Sequence, residues 1–323
     1  MKRAYIKGTG SYTPPKVIKN DFFEAVGSND EWIFKNLGIK ERRIVEGEVT
    51  SDLASKAALI ALEDAGITAE EVNLIIVATS TPDRQAPSTA CFVQKKINAP
   101  HAVAFDISAV CSGGIYGLAI GSQFIQTGMY KNVLVIGADV FSSITDWSRK
   151  DSVFFGDGAG AVLLSATTED KGFIDFKLHA DGTGKYHFNI PAGGCEIPAS
   201  EETIKQGLHY FQMNGKEVFN TATKVLPEVI HEVLADNNLT ANDIDWVIPH
   251  QPSVRILQKV AEEVNIPFEK VMTNMDKYAN TSGGTIPIVL DETYKSGKIK
   301  EGNTLLFAAV GSGWTWGAAL YKV

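Results

Sequence analysis

Leu62-Glu-Asp-Ala-Gly-Ile-Thr-Ala-Glu-Glu-Val-Asn-Leu-Ile-Ile76 is answered 172 residues later by Leu234-Ala-Asp-Asn-Asn-Leu-Thr-Ala-Asn-Asp-Ile-Asp-Trp-Val-Ile248. Two further matches follow in the same order. Cys111-Ser-Gly-Gly114 matches Thr281-Ser-Gly-Gly284 at an offset of 170. Gly156-Asp-Gly-Ala-Gly-Ala-Val-Leu163 resembles Gly311-Ser-Gly-Trp-Thr-Trp-Gly-Ala-Ala-Leu320, which is two residues longer. Three ordered matches at nearly one spacing imply two similar halves, divided here as 1–170 and 171–323.

Each half reads as alternating α and β structure. Residues 51–65 carry apolar side chains at helical spacing, with Ser51 and Asp52 available as caps, and 74–78 is a short, wholly apolar run suited to a buried strand. Residues 132–138 repeat that strand pattern. The second half predicts a helix over about 216–235, strands near 246–248 and 304–310, and a closing strand near 318–321. Such alternation gives an α/β fold of parallel sheets covered by helices on both faces. The polar stretch 179–200, with Gly182-Thr-Gly184, reads as a long loop at the seam.

Composition bounds the function classes. A chain of 323 residues with 44% hydrophobic content can bury a large core, and a net charge of -8 argues against general nucleic-acid binding. Residues 1–8 lack an apolar stretch long enough for a signal peptide and no run approaches a membrane span, so a cytoplasmic protein is expected. The three cysteines, Cys91, Cys111 and Cys195, form neither a disulfide framework nor a CxxC metal pair.

Cys111 falls where the strand-like run from Asp106 breaks at small residues before a helix-like run begins. A thiol there meets the positive end of a helix dipole and free backbone N–H groups, which favour thiolate. A small buried cysteine with no chemistry fits the same local pattern. His250 falls at the carboxyl end of the strand near 246–248, where open α/β sheets bind ligands, and Asn280 immediately precedes the segment that mirrors the Cys111 loop. His101, His179, His187, His209 and His231 lack such a context and read as solvated or locally bonded. Asn280-Thr281-Ser282 matches a glycosylation sequon, which has no meaning without secretion. The segment 156–160 runs into a strand rather than opening a helix, so it reads as a tight turn and not a phosphate cradle.

Over nearly its whole length the chain resembles β-ketoacyl-[acyl carrier protein] synthase III, a thiolase-fold condensing enzyme. The resemblance rests on Lys7-Gly-Thr-Gly-Ser-Tyr-Thr-Pro14, Asp30-Glu-Trp-Ile33, Gly38-Ile-Lys-Glu-Arg-Arg-Ile44, the Cys111 segment, Phe155-Gly-Asp-Gly-Ala-Gly160, Pro249-His-Gln251, Asn280-Thr-Ser282 and Thr315-Trp-Gly317. It implies two pseudo-symmetric halves in a five-layer αβαβα sandwich. It also implies a catalytic triad of Cys111, His250 and Asn280, and an oxyanion hole from the backbone N–H groups of Cys111 and Ser312, where the family pattern usually has glycine. The implied reaction is a decarboxylative Claisen condensation of an acyl thioester primer with a malonyl thioester through an acyl-Cys111 intermediate. It serves fatty-acid initiation or a specialised polyketide-like pathway. No metal or redox cofactor is required; thioesters of coenzyme A or acyl carrier protein are substrates.

The same resemblance implies coenzyme A contacts at Trp32 and Arg149, although Asn36-Leu37 stands where the family commonly has Arg-Thr, leaving Lys35 and Lys40 to supply charge. Acyl carrier protein, being acidic, is expected to dock at Arg255, opposed by Glu262 and Glu263 and by Asn220 in place of a family lysine. Ala86 lies where a bulky aromatic often closes the acyl pocket from the partner subunit, and its smallness predicts a deeper pocket. A homodimer built through the first half, near Ala90-Cys-Phe-Val93, follows from the same likeness. Two other readings stand beside condensation: acyl transfer to an alcohol or amine, and a catalytically silent heterodimer partner.

Overall fold

A computed structural model describes residues 2–323. In the first half the strands are β1 (Arg3–Tyr12), β2 (Leu74–Ala78), β3 (Val103–Ile107), β4 (Asn132–Asp139) and β5 (Gly158–Thr167), hydrogen-bonded in the order β1-β5-β4-β2-β3. The second sheet has β6 (Gly172–Ala180), β7 (Trp246–Pro249), β8 (Thr304–Gly311) and β9 (Thr315–Lys322) in the order β7-β8-β9-β6. The turn at 168–171 thus separates the last strand of one sheet from the first of the other.

The expected wholly parallel sheets are corrected. Only β2 with β3 and β4, and β7 with β8, run parallel; β5 returns antiparallel between β1 and β4, and β9 does the same between β8 and β6. The 156–160 segment is also not a tight turn, because β5 opens at Gly158 and continues extended. Its glycines meet the neighbouring layer: a Cβ at Gly160 would lie 2.6 Å from the backbone nitrogen of Ile288. The irregular seam begins one residue beyond Ala180, where β6 ends.

Among the described residues seven helices of eight residues or more complete the layers: α1 (Asp30–Leu37), α2 (Thr50–Ala65), α3 (Thr89–Lys96), α4 (Gly113–Gln126), α5 (Gly215–Asp236), α6 (Val254–Glu263) and α7 (Thr285–Lys295). Period-two alternation along β2 decides which layer each side chain joins. Ile75 and Val77 point outward to Leu53, Ala57 and Ala61 of α2, whereas Leu74 and Ile76 point inward to Ile115 and Leu118 of α4 and Ile286 and Val289 of α7. Those inner helices also meet Phe307 and Ala319 of the second sheet. Val229, Val233 and Leu257 of α5 and α6 cover the outer face of that sheet. The result is the helix–sheet–helix–sheet–helix order of a thiolase-like fold.

The structure also corrects the register of the repeat. Val110–Ser112 forms a tight turn before α4, and its counterpart before α7 is Ser282–Gly284, an offset of 172 rather than 170. The same offset relates β4 to β8. Val110 and Ser282 repeat even in backbone, with φ of 48° and 52°. Cys111 therefore mirrors Gly283, and the shared Ser-Gly-Gly letters are out of step by two residues. The two turns approach each other at the pseudo-two-fold axis, where Gly137 of β4 lies against the Gly283 backbone.

Candidate active site

Each reactive side chain is placed by the end of a strand or the start of a central helix. β3 ends at Ile107, and the chain turns through Val110 into α4 with Cys111 at the bend. A β-branched residue at positive φ is strained, and the close packing of the turn maintains it: a Cβ on Gly311 would lie 2.6 Å from the Ala109 carbonyl oxygen. β7 delivers His250, whose N–H donates to the Ala308 carbonyl at 2.8 Å. Asn280 is held by the 154–156 segment: its N–H donates to the Phe154 carbonyl at 3.1 Å, and its carbonyl accepts from the Gly156 N–H at 3.1 Å.

Cys111, His250 and Asn280 line one pocket, together with Ser312, Trp32 and Arg255. His250 and Asn280 are buried, and Cys111 keeps part of its surface open. The Asn280 Oδ1 accepts from the Ser282 N–H at 2.7 Å, which fixes the amide and leaves its NH2 group for the cavity. The thiol reaches the Ser282 hydroxyl at 3.8 Å, and the Asn280 amide acts to lower the thiol's pKa. Apolar walls surround this floor, from Val218, Phe219 and Ala222 on α5 to Phe155, Phe188 and Met213. Phe141, Phe155, Phe188 and Phe211 form a continuous buried aromatic cluster, of which Phe155 and Phe188 face the pocket.

Electrostatics overturn one expectation. Burial pushes the Cys111 thiol up to about 12 and the Asp139 carboxylate adds to the rise, outweighing hydrogen bonds to Ser282, Asn280 and its own N–H. Burial thus opposes the thiolate that the helix start favours, and the resting group is a thiol. Burial also lowers His250 to about 3, so its imidazole is neutral at ordinary pH. The thiolate is the reactive form, so alkylation of Cys111 by iodoacetamide should rise about tenfold per pH unit between pH 7 and 10. A rate already level at pH 7, followed by peptide mass spectrometry, would contradict the buried-thiol assignment.

Arg149 is not brought to the pocket, and Ala86, expected at the partner subunit's pocket, is not at that of its own chain. Arg149 pairs with Asp151 at 2.5 Å and donates to the Phe211 carbonyl at 3.3 Å, outside the lining. Ala86 is exposed on the single chain and does not line its own chain's cavity. Trp32 is half exposed at the mouth, where Arg255 donates to Asn36 Oδ1 at 3.0 Å. Glu262 and Glu263 share Lys259, at 3.5 and 3.8 Å, which partly offsets their charge on α6. Asn220 lines a different, open depression with Lys224.

Several supporting residues escape a reading of the sequence. Arg42 is buried, and its guanidinium donates to Asn20 Oδ1 and to the Val153 carbonyl at 2.9 Å each, anchoring the segment that clamps Asn280. Asp139, at the carboxyl end of β4, accepts from the N–H groups of Ser80 at 2.7 Å, Thr81 at 3.1 Å and Gly283 at 3.2 Å. Its position at a strand end was the available signal. Among the described residues no group of three or more His, Cys, Asp or Glu side chains is gathered to hold a metal ion, and no helix is long and apolar enough to cross a membrane.

A cysteine at a strained strand-to-helix bend, with a neutral histidine and an oriented asparagine on the floor of the same pocket, defines the site of an acyl-condensing protein of thiolase-like fold. Residues 105–182 match the family model for 3-oxoacyl-[acyl-carrier-protein] synthase III, and 234–323 match that for its C-terminal part. A β-ketoacyl-[acyl-carrier-protein] synthase III of Caldanaerobacter subterraneus subsp. tengcongensis is 48% identical, with 99% of this chain and 97% of that protein covered. The crystal structure of 3-oxoacyl-[acyl-carrier-protein] synthase III from Aquifex aeolicus superposes with a TM-score of 0.91 at 42% identity, covering 99% of this chain and 100% of that one. The priming β-ketosynthase of the R1128 polyketide pathway gives 0.90 at 27% identity, with 99% and 96% covered. The chain belongs to the β-ketoacyl-[acyl carrier protein] synthase III family.

Proposed function

We propose that the protein joins an acyl primer to a malonyl unit by decarboxylative Claisen condensation, with Cys111 as nucleophile. The observation that carries this reading is the placing of Cys111, His250 and Asn280 on the floor of one apolar pocket open at Trp32 and Arg255. Cys111 takes the acyl group from its thioester carrier. The malonyl thioester then enters, and loss of CO2 leaves an enolate whose oxygen accepts hydrogen bonds from His250 and Asn280. One such preorganised donor contributes ~2.7–4 kcal/mol to transition-state stabilisation. The enolate carbon attacks the acyl-Cys111 carbonyl, and the resulting oxyanion is received by the N–H groups of Cys111 and Ser312. Collapse of that oxyanion restores the carbonyl, breaks the bond to the Cys111 sulfur, which takes up a proton, and releases the 3-oxoacyl thioester.

The substrates are acyl and malonyl thioesters of coenzyme A or acyl carrier protein, so no resident cofactor is needed. Trp32 offers an aromatic face to the adenine at the mouth, and Arg255 on α6 faces the acidic carrier. In a cytoplasmic homodimer Ala86 would border the partner subunit's acyl pocket, its small side chain leaving room for primers longer than acetyl. The identities to synthases of fatty-acid initiation exceed that to the polyketide enzyme, which favours the first pathway.

Purified protein supplied with acyl-coenzyme A and malonyl carrier protein should release CO2 and 3-oxoacyl carrier protein in equal amounts. Transfer of the acyl group to alcohols or amines without CO2 would overturn the proposal. Trp32→Ala should raise KM for acyl-coenzyme A about tenfold, with kcat changed less than about threefold, because stacking on a base contributes ~1–3 kcal/mol. An unchanged KM would place the adenine elsewhere.

A further inference from the structure

Inside the protein the His250 ring meets one hydroxyl. Its Nδ1 lies 2.7 Å from the Thr285 oxygen, and that hydroxyl donates to the Ser282 carbonyl at 2.9 Å. A hydroxyl has a single hydrogen, and a neutral imidazole has one N–H and one bare nitrogen. With the Thr285 hydrogen committed to Ser282, its oxygen can only accept from His250, so Nδ1 carries the ring proton and Nε2 is bare. If the hydroxyl instead turns toward Nδ1, the proton resides on Nε2 and the Ser282 carbonyl loses this bond. The first arrangement keeps two hydrogen bonds and the second keeps one. Ser282, Thr285 and His250 are all buried, where a lost bond is not replaced by bulk water.

We infer that Thr285 is a positioning residue that holds resting His250 in the Nδ1–H form, presents a bare Nε2 to the pocket, and by turning its hydroxyl can also hold the Nε2–H form once the ring has exchanged its proton. This rests on the reading of Cys111 as the acyl nucleophile. Bare Nε2 serves the first half-reaction. As the sulfur lone pair forms the S–C bond to the primer, the thiol proton passes to Nε2 and the carbonyl π pair moves to oxygen. Collapse of that oxyanion breaks the bond to the carrier sulfur, which leaves with the proton from Nε2. The second half-reaction needs the opposite form, since an enolate oxygen must receive a hydrogen bond. That form is reached when a proton from water in the open pocket arrives at Nε2 as the Nδ1 proton is given up to water, and the Thr285 hydroxyl then turns to donate to the bared Nδ1, so no proton is taken up in net.

The surroundings fit a small, well-defined rotor. Thr285 is the first residue of α7, and the His250 backbone is held by its bond to the Ala308 carbonyl. Ser282 ties the parts together: its carbonyl takes the Thr285 hydrogen, its N–H holds Asn280, and its hydroxyl meets the Cys111 sulfur. Because burial keeps Cys111 a thiol, its attack requires a proton acceptor within the pocket, and a bare imidazole nitrogen is one.

The test is the tautomer itself, read by two-bond ¹⁵N–¹H correlation on the full chain labelled at its six histidines, with His250 assigned by its absence in His250→Gln. The expected spectrum shows protonated Nδ1 and bare Nε2 from pH 6 to 9. Thr285→Val, which keeps the shape and removes the hydroxyl, should move the ring to Nε2–H and slow acyl loading of Cys111 at least tenfold, while malonyl decarboxylation changes less than about threefold. Thr285→Ser should restore the wild-type pattern. A wild-type ring carrying its proton on Nε2 would overturn the inference even if the valine variant fails to fold, as would a folded valine variant with unaltered tautomer and loading. A wild-type protein that never loads an acyl group would instead overturn the condensation reading, leaving the spectrum to decide the tautomer.

Discussion

Cys111→Ala is expected to abolish condensation, by about 10⁴-fold or more in kcat, while the protein folds as before and still decarboxylates malonyl thioester. Removing a nucleophile that works as part of a unit has an effect of that order. The sulfur sits at the bend before α4 with part of its surface open to the pocket, so its loss opens little core. His250 and Asn280 keep their supports, the Ala308 carbonyl and the Phe154–Gly156 segment, neither of which involves the thiol. Enolate formation therefore survives, and the enolate takes a proton because no acyl group awaits it. Asn280→Ala should show the converse, acyl loading with decarboxylation reduced about 10²–10³-fold, and His250→Ala should lose decarboxylation to a similar extent and also load acyl groups at least tenfold more slowly. Product analysis by mass spectrometry separates the two patterns. A Cys111→Ala protein that still forms the 3-oxoacyl product would remove this residue from the chemistry.

The largest structural effect is expected at Gly137, where β4 meets the turn that begins α7. A Cβ there would lie 2.0 Å from the Gly283 oxygen and 2.5 Å from its carbonyl carbon. Both atoms are backbone, so no rotamer change relieves the clash, and β4 is held on both sides by β2 and β5. The turn must move, and with it Ser282 and the orientation of Asn280. Gly137→Ala should cost about 3–5 kcal/mol of stability and reduce condensation in whatever folded protein remains. Gly182→Ala, with nothing within 4 Å of its added carbon, serves as the control and should stay within about 0.5 kcal/mol. Urea denaturation of the two variants measures the difference. A loss below about 1 kcal/mol at Gly137 would mean that the two halves are less closely locked than their backbones indicate.

What the sequence disclosed depended on whether a feature was written in side-chain pattern or in backbone approach. The apolar run at Leu74–Ala78 and the helix preceding it were legible because burial on both faces leaves only hydrophobic letters. β1 was not read as a strand, since Gly8 and Gly10 interrupt its strand-forming residues. Its glycines are there because α2 lies so near: a Cβ at Gly8 or Gly10 would come within 2.5 Å of the Ala61 or Ala57 carbonyl oxygen. The antiparallel return of β5 was hidden for the same reason. The repeat was visible, but the Ser-Gly-Gly letters misplaced it by two residues because the conserved quantity is the positive-φ turn before each central helix, which Val110 and Ser282 adopt with different side chains.

The site was legible in part. Cys111, His250 and Asn280 were named from motif, strand position and family likeness, and the fold brings all three to one pocket. Thr285, Arg42 and Asp139 were not, because their partners lie far away in sequence: Arg42 reaches Val153, and Asp139 reaches Gly283. The protonation state of the thiol was misjudged because a helix start is visible in sequence and the depth of burial is not.

The most direct measurement is the mass of the Cys111-containing peptide after incubation with a panel of acyl thioesters, acetyl through dodecanoyl, before and after malonyl thioester is added. The account predicts an acyl adduct on Cys111 that disappears only when the malonyl donor is present, with a 3-oxoacyl product appearing in step. An adduct that persists in the presence of malonyl donor, or the absence of any adduct across the panel, would contradict it.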